Sequence, residues 1–199
     1  MTGASKSEIR KQVLARRDAL PVSERRALSE RITRQLLALD AYRDARSVMA
    51  YASFGGEFET AGFIADVLAC GKTLVLPRIE RGDRSLHLHA VADPAHQLAP
   101  GIWGIPQPRA DLCPTVSASH LTFVRLPGVA FPRRCGRLVN GAGCSDGSIR
   151  SLARRPPLIA AAFALQVLPS LPVSETDQRV DLVVTEDAEY RAMITGPGA

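Results

Sequence analysis

Residues 136–149 read GRLVNGAGCSDGSI, and residue types in this order could hold phosphate. Gly141 and Gly143 can adopt backbone angles closed to other residues and let a ligand approach the main chain. Successive N–H groups in such a loop, followed by a helix N-terminus, attract anions. Arg137 would add a charged fork, and Asp146 would then stand beside the phosphates, where a carboxylate can hold Mg²⁺. The same residues equally suit a tight turn in which Asp146 merely caps the next helix. G-x-G spacing does not separate the two readings, and the stretch is not a Walker loop. His87 and His89 alternate within SLHLHAV and so share one face of a strand. Two histidines there could ligate a metal, but a solvated strand face is the expected reading. Cys70, Cys113, Cys135 and Cys144 form no C-x-x-C pair and have no histidine at ligand spacing. They read as reduced thiols and not as a disulfide framework.

These groups need elements to position them. Residues 5–20 read as a helix capped by Ser5, with Glu8 completing a capping box and Leu20-Pro21 as its stop. A second helix, about 23–39, carries Leu28, Ile32, Leu36 and Leu39 as an apolar stripe. SVMAYA (47–52) reads as a buried strand, SFGGE as a loop, and ETAGFIADVLAC as a helix ended by Gly71. TLVLP (73–77) is a second buried strand, SLHLHAV (85–91) an edge or half-exposed one, and LTFVRLP (121–127) a third buried one. Residues 93–119 hold five prolines and little periodicity, which predicts a long loop. A helix over about 146–154, stopped by Pro156 and Pro157, precedes two further strands in PLIAAAFA and VDLVVTE.

Short apolar strands alternating with helices predict an α/β fold with a mostly parallel central sheet flanked by helices. In such sheets, loops at the carboxyl ends of the strands take ligands, and SFGGE and the Gly-rich stretch occupy such positions. The 199 residues suit one domain spanning 1–199, with 46% hydrophobic and 23% charged residues. No apolar run is long enough to cross a bilayer, and the polar N-terminus lacks the apolar centre of a secretory signal, so no membrane partner and a cytoplasmic location are expected. The net charge of +5 is spread over Arg10, Lys11, Arg16, Arg17, Arg25, Arg26, Arg133, Arg134, Arg154 and Arg155. That spread, without interleaved aromatics, argues against nucleic acid and suits a polyanionic small molecule.

Eight segments in order resemble the 5-formyltetrahydrofolate cyclo-ligase (5,10-methenyltetrahydrofolate synthetase) family. They are Lys6-Ser-Glu-Ile-Arg10, Tyr51 to Thr60 with Glu57, Gly71-Lys72 to Pro77-Arg78, and Gly101-Ile-Trp103-Gly-Ile-Pro-Gln-Pro108. Pro127 to Phe131, Phe163 with Gln166, Pro172 with Asp177, and Val183 to Glu186 complete the set. The resemblance implies a fold similar to the sugar-isomerase and CoA-transferase type, a monomer, and ATP with Mg²⁺ as cofactors. It implies that 5-formyltetrahydrofolate, possibly polyglutamylated, is phosphorylated on its formyl oxygen, after which N10 closes the ring and phosphate leaves. Carried over residue by residue, Glu57 and Arg137 would be catalytic. Lys6, Arg10, Arg137, Leu138, Asn140, Gly141, Ala142, Gly143, Cys144 and Ser145 would bind the nucleotide. Ala52, Glu57, Trp103, Asn140, Gly141, Ala142, Gly143 and Cys144 would line the folate site. Asp146 and Asp177 would hold the metal.

The chain also departs from that pattern. Where the family loop reads R-L-G-x-G-x-G-Y-Y-D-R, this one has Val139, Cys144, Ser145 and Gly147 in place of a glycine, two tyrosines and an arginine. Val139 tolerates positive φ poorly, the lost rings remove packing area, and the lost arginine removes a donor. Phe131-Pro132 stands where Phe-Asp is usual. A form that binds folate or nucleotide without normal turnover is therefore the alternative expectation.

Overall fold

The computed structural model describes residues 5–80, 86–139, 155–172 and 179–192, with the backbone alone at Trp103. Helix α1 (Lys6–Asp18) starts at the expected capping box: Ser5 Oγ accepts from the Glu8 amide, and the Glu8 carboxylate accepts from the Ser5 amide at 2.7 Å. Helix α2 (Val22–Ala38) buries Ile32 and Leu36, with Leu28 and Leu39 packed on the same core. A single turn, α3 (Asp40–Arg43), turns Tyr42 inward before β1 (Ser47–Met49), all of whose residues are buried. Helix α4 (Ala61–Ala69) ends at Gly71, whose φ of +67° is the left-handed angle that favours glycine after a helix.

Strands β2 (Thr73–Ile79) and β3 (Leu86–Ala90) follow, then α5 (Pro94–Gln97), β4 (Leu98–Pro100) and β5 (Pro106–Pro108). The chain continues through β6 (Phe123–Leu126), β7 (Phe131–Pro132), β8 (Leu158–Ala161), β9 (Val167–Leu168), β10 (Leu182–Val184) and β11 (Glu189–Arg191). Among the described residues, seven strands form one sheet in the order β11-β10-β8-β6-β1-β2-β3. Pairings from β10 through β2 are parallel, and the two edge strands, β3 and β11, are antiparallel. The expected mixed α/β architecture with a mostly parallel sheet is thus the observed one. From β1 the chain first adds β2 on one side and later β6, β8 and β10 on the other, so the strand order reverses between β1 and β6.

Alternate residues of each strand enter opposite cores. Val48, Leu74, Leu76, Phe123, Ile159 and Val184 pack with Ile32, Leu36, Phe63 and Val67 of α2 and α4. Met49, Val75, Val124, Leu126, Leu158 and Val183 pack on the other face with Phe131 and Val180. Tyr42, Phe63 and Phe123 form an aromatic triangle in the first core, with Tyr42 edge-on to Phe123 at 5.8 Å. The buried Tyr42 hydroxyl donates to Asp66, and burial followed by that carboxylate drives its pKa well above the usual phenol value.

Two expectations are corrected. Residues 93–119 are not a featureless loop: they contain α5, the β4–β5 antiparallel pair and two 3₁₀ turns, at 102–104 and 118–120. Proline-rich LAP and PQP carry no alternating pattern, so nothing in the sequence announced the pairing. His89 is not on a solvated face. It is buried, with Nδ1 2.8 Å from the Cys113 carbonyl oxygen, because the 109–116 segment covers that side of β3; His87 is exposed as expected. The helix expected over 146–154 lies outside the described residues.

Lys72 explains one sequence motif structurally. Its ammonium donates to the carbonyls of Tyr42 (3.0 Å), Arg43 (2.9 Å) and Ala45 (2.6 Å) and lies 4.9 Å from the Tyr42 ring centre. It thereby satisfies the last carbonyls of α3 and the turn into β1. Lys72→Met should lower the unfolding free energy by about 1–3 kcal/mol, since three charged hydrogen bonds to main-chain carbonyls are lost. Urea denaturation followed by circular dichroism measures it.

Candidate active site

A shallow cleft, open to solvent, lies at the carboxyl ends of β1, β6 and β8 and is lined by Arg17, Glu57, Phe58, Arg125, Pro127, Gly128, Ala161 and Gln166. This is the point where the strand order reverses, and the connections after β1 and β6 leave in opposite directions there. The loop after β1 supplies Glu57. Ser53 and Thr60 brace its two ends: the Ser53 amide donates to Thr60 Oγ1 (2.9 Å) and the Thr60 amide to Ser53 Oγ (3.2 Å). Between them the chain turns on itself, with the Glu57 amide donating to the Phe54 carbonyl (3.3 Å) and Glu57 Oε2 accepting from the Phe54 amide (3.2 Å). The Glu59 amide ties the far side of the loop to Ser29 Oγ on α2 (3.0 Å).

Arg125 of β6 forms the floor. It is only 3% exposed, donates from Nη2 to the Tyr51 carbonyl (2.9 Å), and its guanidinium carbon lies 5.7 Å from the Phe58 ring centre. Burial lowers its pKa to about 10, against the opposing pull of Glu57 and then Tyr51, so it is a cation at neutral pH. The wall is the turn after β6. Gln166 donates to the carbonyls of Gly128 (3.2 Å) and Val129 (2.9 Å) while its Oε1 accepts from the Phe163 amide (2.9 Å). Arg137 donates from Nη1 to the Pro127 carbonyl (2.9 Å) from behind. Arg17 of α1 closes the remaining side, paired with Asp18 Oδ1 at 3.0 Å.

The residues expected at a site fall into three groups. Glu57 lines the cleft, and Ala52 is half-buried in the same loop. Arg10, Arg137 and Leu138 converge where the Gly-rich stretch begins: Arg10 Nε donates to the Val139 carbonyl (2.9 Å), and Leu138 is buried and bridged to Ala130. Lys6 sits one turn before Arg10 on α1. Trp103 belongs to the 3₁₀ turn 102–104. Asn140, Gly141, Ala142, Gly143, Cys144, Ser145, Asp146 and Asp177 lie outside the described residues. Among the described residues, no cluster of three His, Cys, Asp or Glu side chains could hold a metal.

Sequence reasoning missed Arg17 and Arg125 and gave Gln166 no role. A signal existed for Arg125: a charged residue inside the apolar run LTFVRLP has to be buried with partners. Arg17 carried no such mark, being one of many arginines on a polar helix.

The profile of the 5-formyltetrahydrofolate cyclo-ligase family matches residues 2–186. The chain belongs to this family. Among curated relatives, the cyclo-ligase of Mus musculus is 29% identical over 195 residues, covering 93% of this chain and 95% of the mouse one. The Escherichia coli K12 cyclo-ligase is 25% identical over 171 residues, 85% of this chain and 94% of its own length. In structure, the Aquifex aeolicus 5,10-methenyltetrahydrofolate synthetase superimposes with a TM-score of 0.84 at 31% identity, covering 98% of this chain and 95% of that one. The chain is thus a cyclo-ligase family member in sequence and in fold.

In this family member the wall turn leaves no room for a side chain at Gly128. A Cβ there would stand 2.4 Å from Phe131 Cζ and 3.1 Å from Arg137 Cγ. Gly128→Ala should therefore cost about 1–3 kcal/mol of stability, the usual range for forced overpacking, as read from the shift in denaturation midpoint.

Proposed function

We propose that the chain converts 5-formyltetrahydrofolate to 5,10-methenyltetrahydrofolate in a reaction that consumes ATP and requires Mg²⁺. The observation that carries this reading is a family match spanning nearly the whole chain, with the Glu57 carboxylate lining a cleft at the sheet's reversal point. The donor set supports a polyanionic nucleotide. Arg10 is bonded to the Val139 carbonyl at the start of the Gly-rich stretch, and Arg137, two residues earlier in the chain, has its guanidinium on the Pro127 carbonyl. Lys6 adds a third cation on α1. These three would hold the phosphates, while Asp146 and Asp177 would hold Mg²⁺. The nucleotide supplies the phosphoryl group that turns the formyl oxygen, a poor leaving group, into a good one.

The chain's own work is positioning and charge. Glu57, fixed by its turn, orients the folate ring system with the formyl group toward the nucleotide. Arg10 and Arg137 offset the phosphate charge, the main need in phosphoryl transfer. Phe58 and Ala161 give the cleft apolar surface, which strengthens the polar contacts made there.

A second reading, folate or nucleotide binding with little turnover, rests on Val139, Cys144, Ser145 and Gly147 standing where the family pattern differs. The assay that separates the two follows the absorbance of the methenyl product with and without ATP and Mg²⁺. ATP-dependent product is expected. Glu57→Gln should lower kcat/KM about 100-fold or more, and Arg10→Met should raise KM for ATP about tenfold, the loss of one charge-assisted contact. Folate binding without product would favour the second reading, and Val139→Gly with Gly147→Arg would then be expected to raise turnover.

A further inference from the structure

Of the four polar side chains on the cleft, two are already engaged. Gln166 uses its amide nitrogen on two carbonyls and its oxygen on the Phe163 amide. Arg17 is paired with Asp18. Two groups retain capacity. Glu57 Oε2 takes one backbone amide at 3.2 Å, and Oε1 takes none among the described residues. Arg125 donates once, to the Tyr51 carbonyl, while its Nε is fully buried without a hydrogen-bond partner and the residue forms no ion pair among the described residues. A buried guanidinium in this condition is costly to keep. Glu57 is near enough to act on its charge, yet the two do not close a salt bridge.

The cleft therefore presents an acceptor and a donor on the same lining, both charged and of opposite sign. A simple anion drawn to Arg125 would meet the Glu57 carboxylate, and a simple cation the reverse. A neutral edge that carries an N–H beside a carbonyl oxygen satisfies both. The aminopyrimidinone edge of a reduced folate, with its N3–H next to its 4-oxo group, has this form.

We infer that Arg125 is a specificity-determining residue that donates to the 4-oxo oxygen of the folate ring while Glu57 accepts from the adjacent N–H. This rests on the folate reading above. A site built to hydrogen-bond a substrate oxygen discriminates strongly against analogues that lack it, because its buried donor is left unpaired.

The test is equilibrium binding, by intrinsic fluorescence titration, of 5-formyltetrahydrofolate and of the analogue whose 4-oxo group is replaced by an amine. The parent protein, Arg125→Met and Arg125→Lys are compared, each checked by thermal unfolding. The parent should favour the oxo form, and Arg125→Met should bind it about 10- to 100-fold more weakly, the usual loss of a charge-assisted hydrogen bond. The same variant should bind the amino analogue no more weakly than the parent does. Arg125→Lys should restore part of the preference. Affinity for a non-hydrolysable ATP analogue should not change, and inorganic phosphate should not compete with the folate. Equal weakening of both folates in Arg125→Met, or no weakening of either, overturns the assignment while leaving the folate reading intact. If the parent binds neither folate, that reading itself fails and takes the assignment with it.

Discussion

Strand β1 is paired on both edges, to β2 and β6, and covered on both faces. Its three residues must therefore be apolar or otherwise satisfied, and the chain has to leave its carboxyl end at once. Everything at the cleft follows from this constraint. The loop that leaves β1 carries Glu57. The neighbouring strand, whose connection leaves in the opposite direction, brings Pro127 and Gly128 to the same rim. A parallel sheet that reverses its strand order creates an opening there without any special residue; the special residues then line it.

The lining is held by a few polar side chains that bond to backbone. Ser53 and Thr60 clamp the loop ends, Gln166 and Arg137 hold the wall turn from two directions, and Lys72 closes the run from α3 into β1. Each meets main-chain groups, and Gln166, Arg137 and Lys72 also join separate segments of the chain. The cleft is thus shaped by hydrogen bonding, while apolar packing of Phe63, Phe123 and their neighbours keeps the sheet beneath it rigid.

Where periodicity was strong, the sequence was legible. The α2 stripe, the capping box at Ser5 and Glu8, and the apolar strands all appear where their spacing puts them. The β4–β5 pair was not legible because its residues are largely proline and carry no alternation. His89 was misjudged because the segment that buries it comes 20 or more residues later, joined through the Cys113 carbonyl. At the site, Glu57 stood out through its motif, and Arg10 and Arg137 through theirs. Arg125 is hidden by its surroundings: an apolar strand reads as core, and the partners of the one charge within it come from the distant Tyr51 and Phe58.

Gln166 touches three backbone groups at once, two in the turn after β6 and one in the turn after β8. Neither turn can open without releasing the other. The wall of the cleft and the end of β8 therefore belong to one cooperative unit, and amide exchange at Phe163 and at the wall should occur by a shared opening event, not by independent fraying of two surface turns.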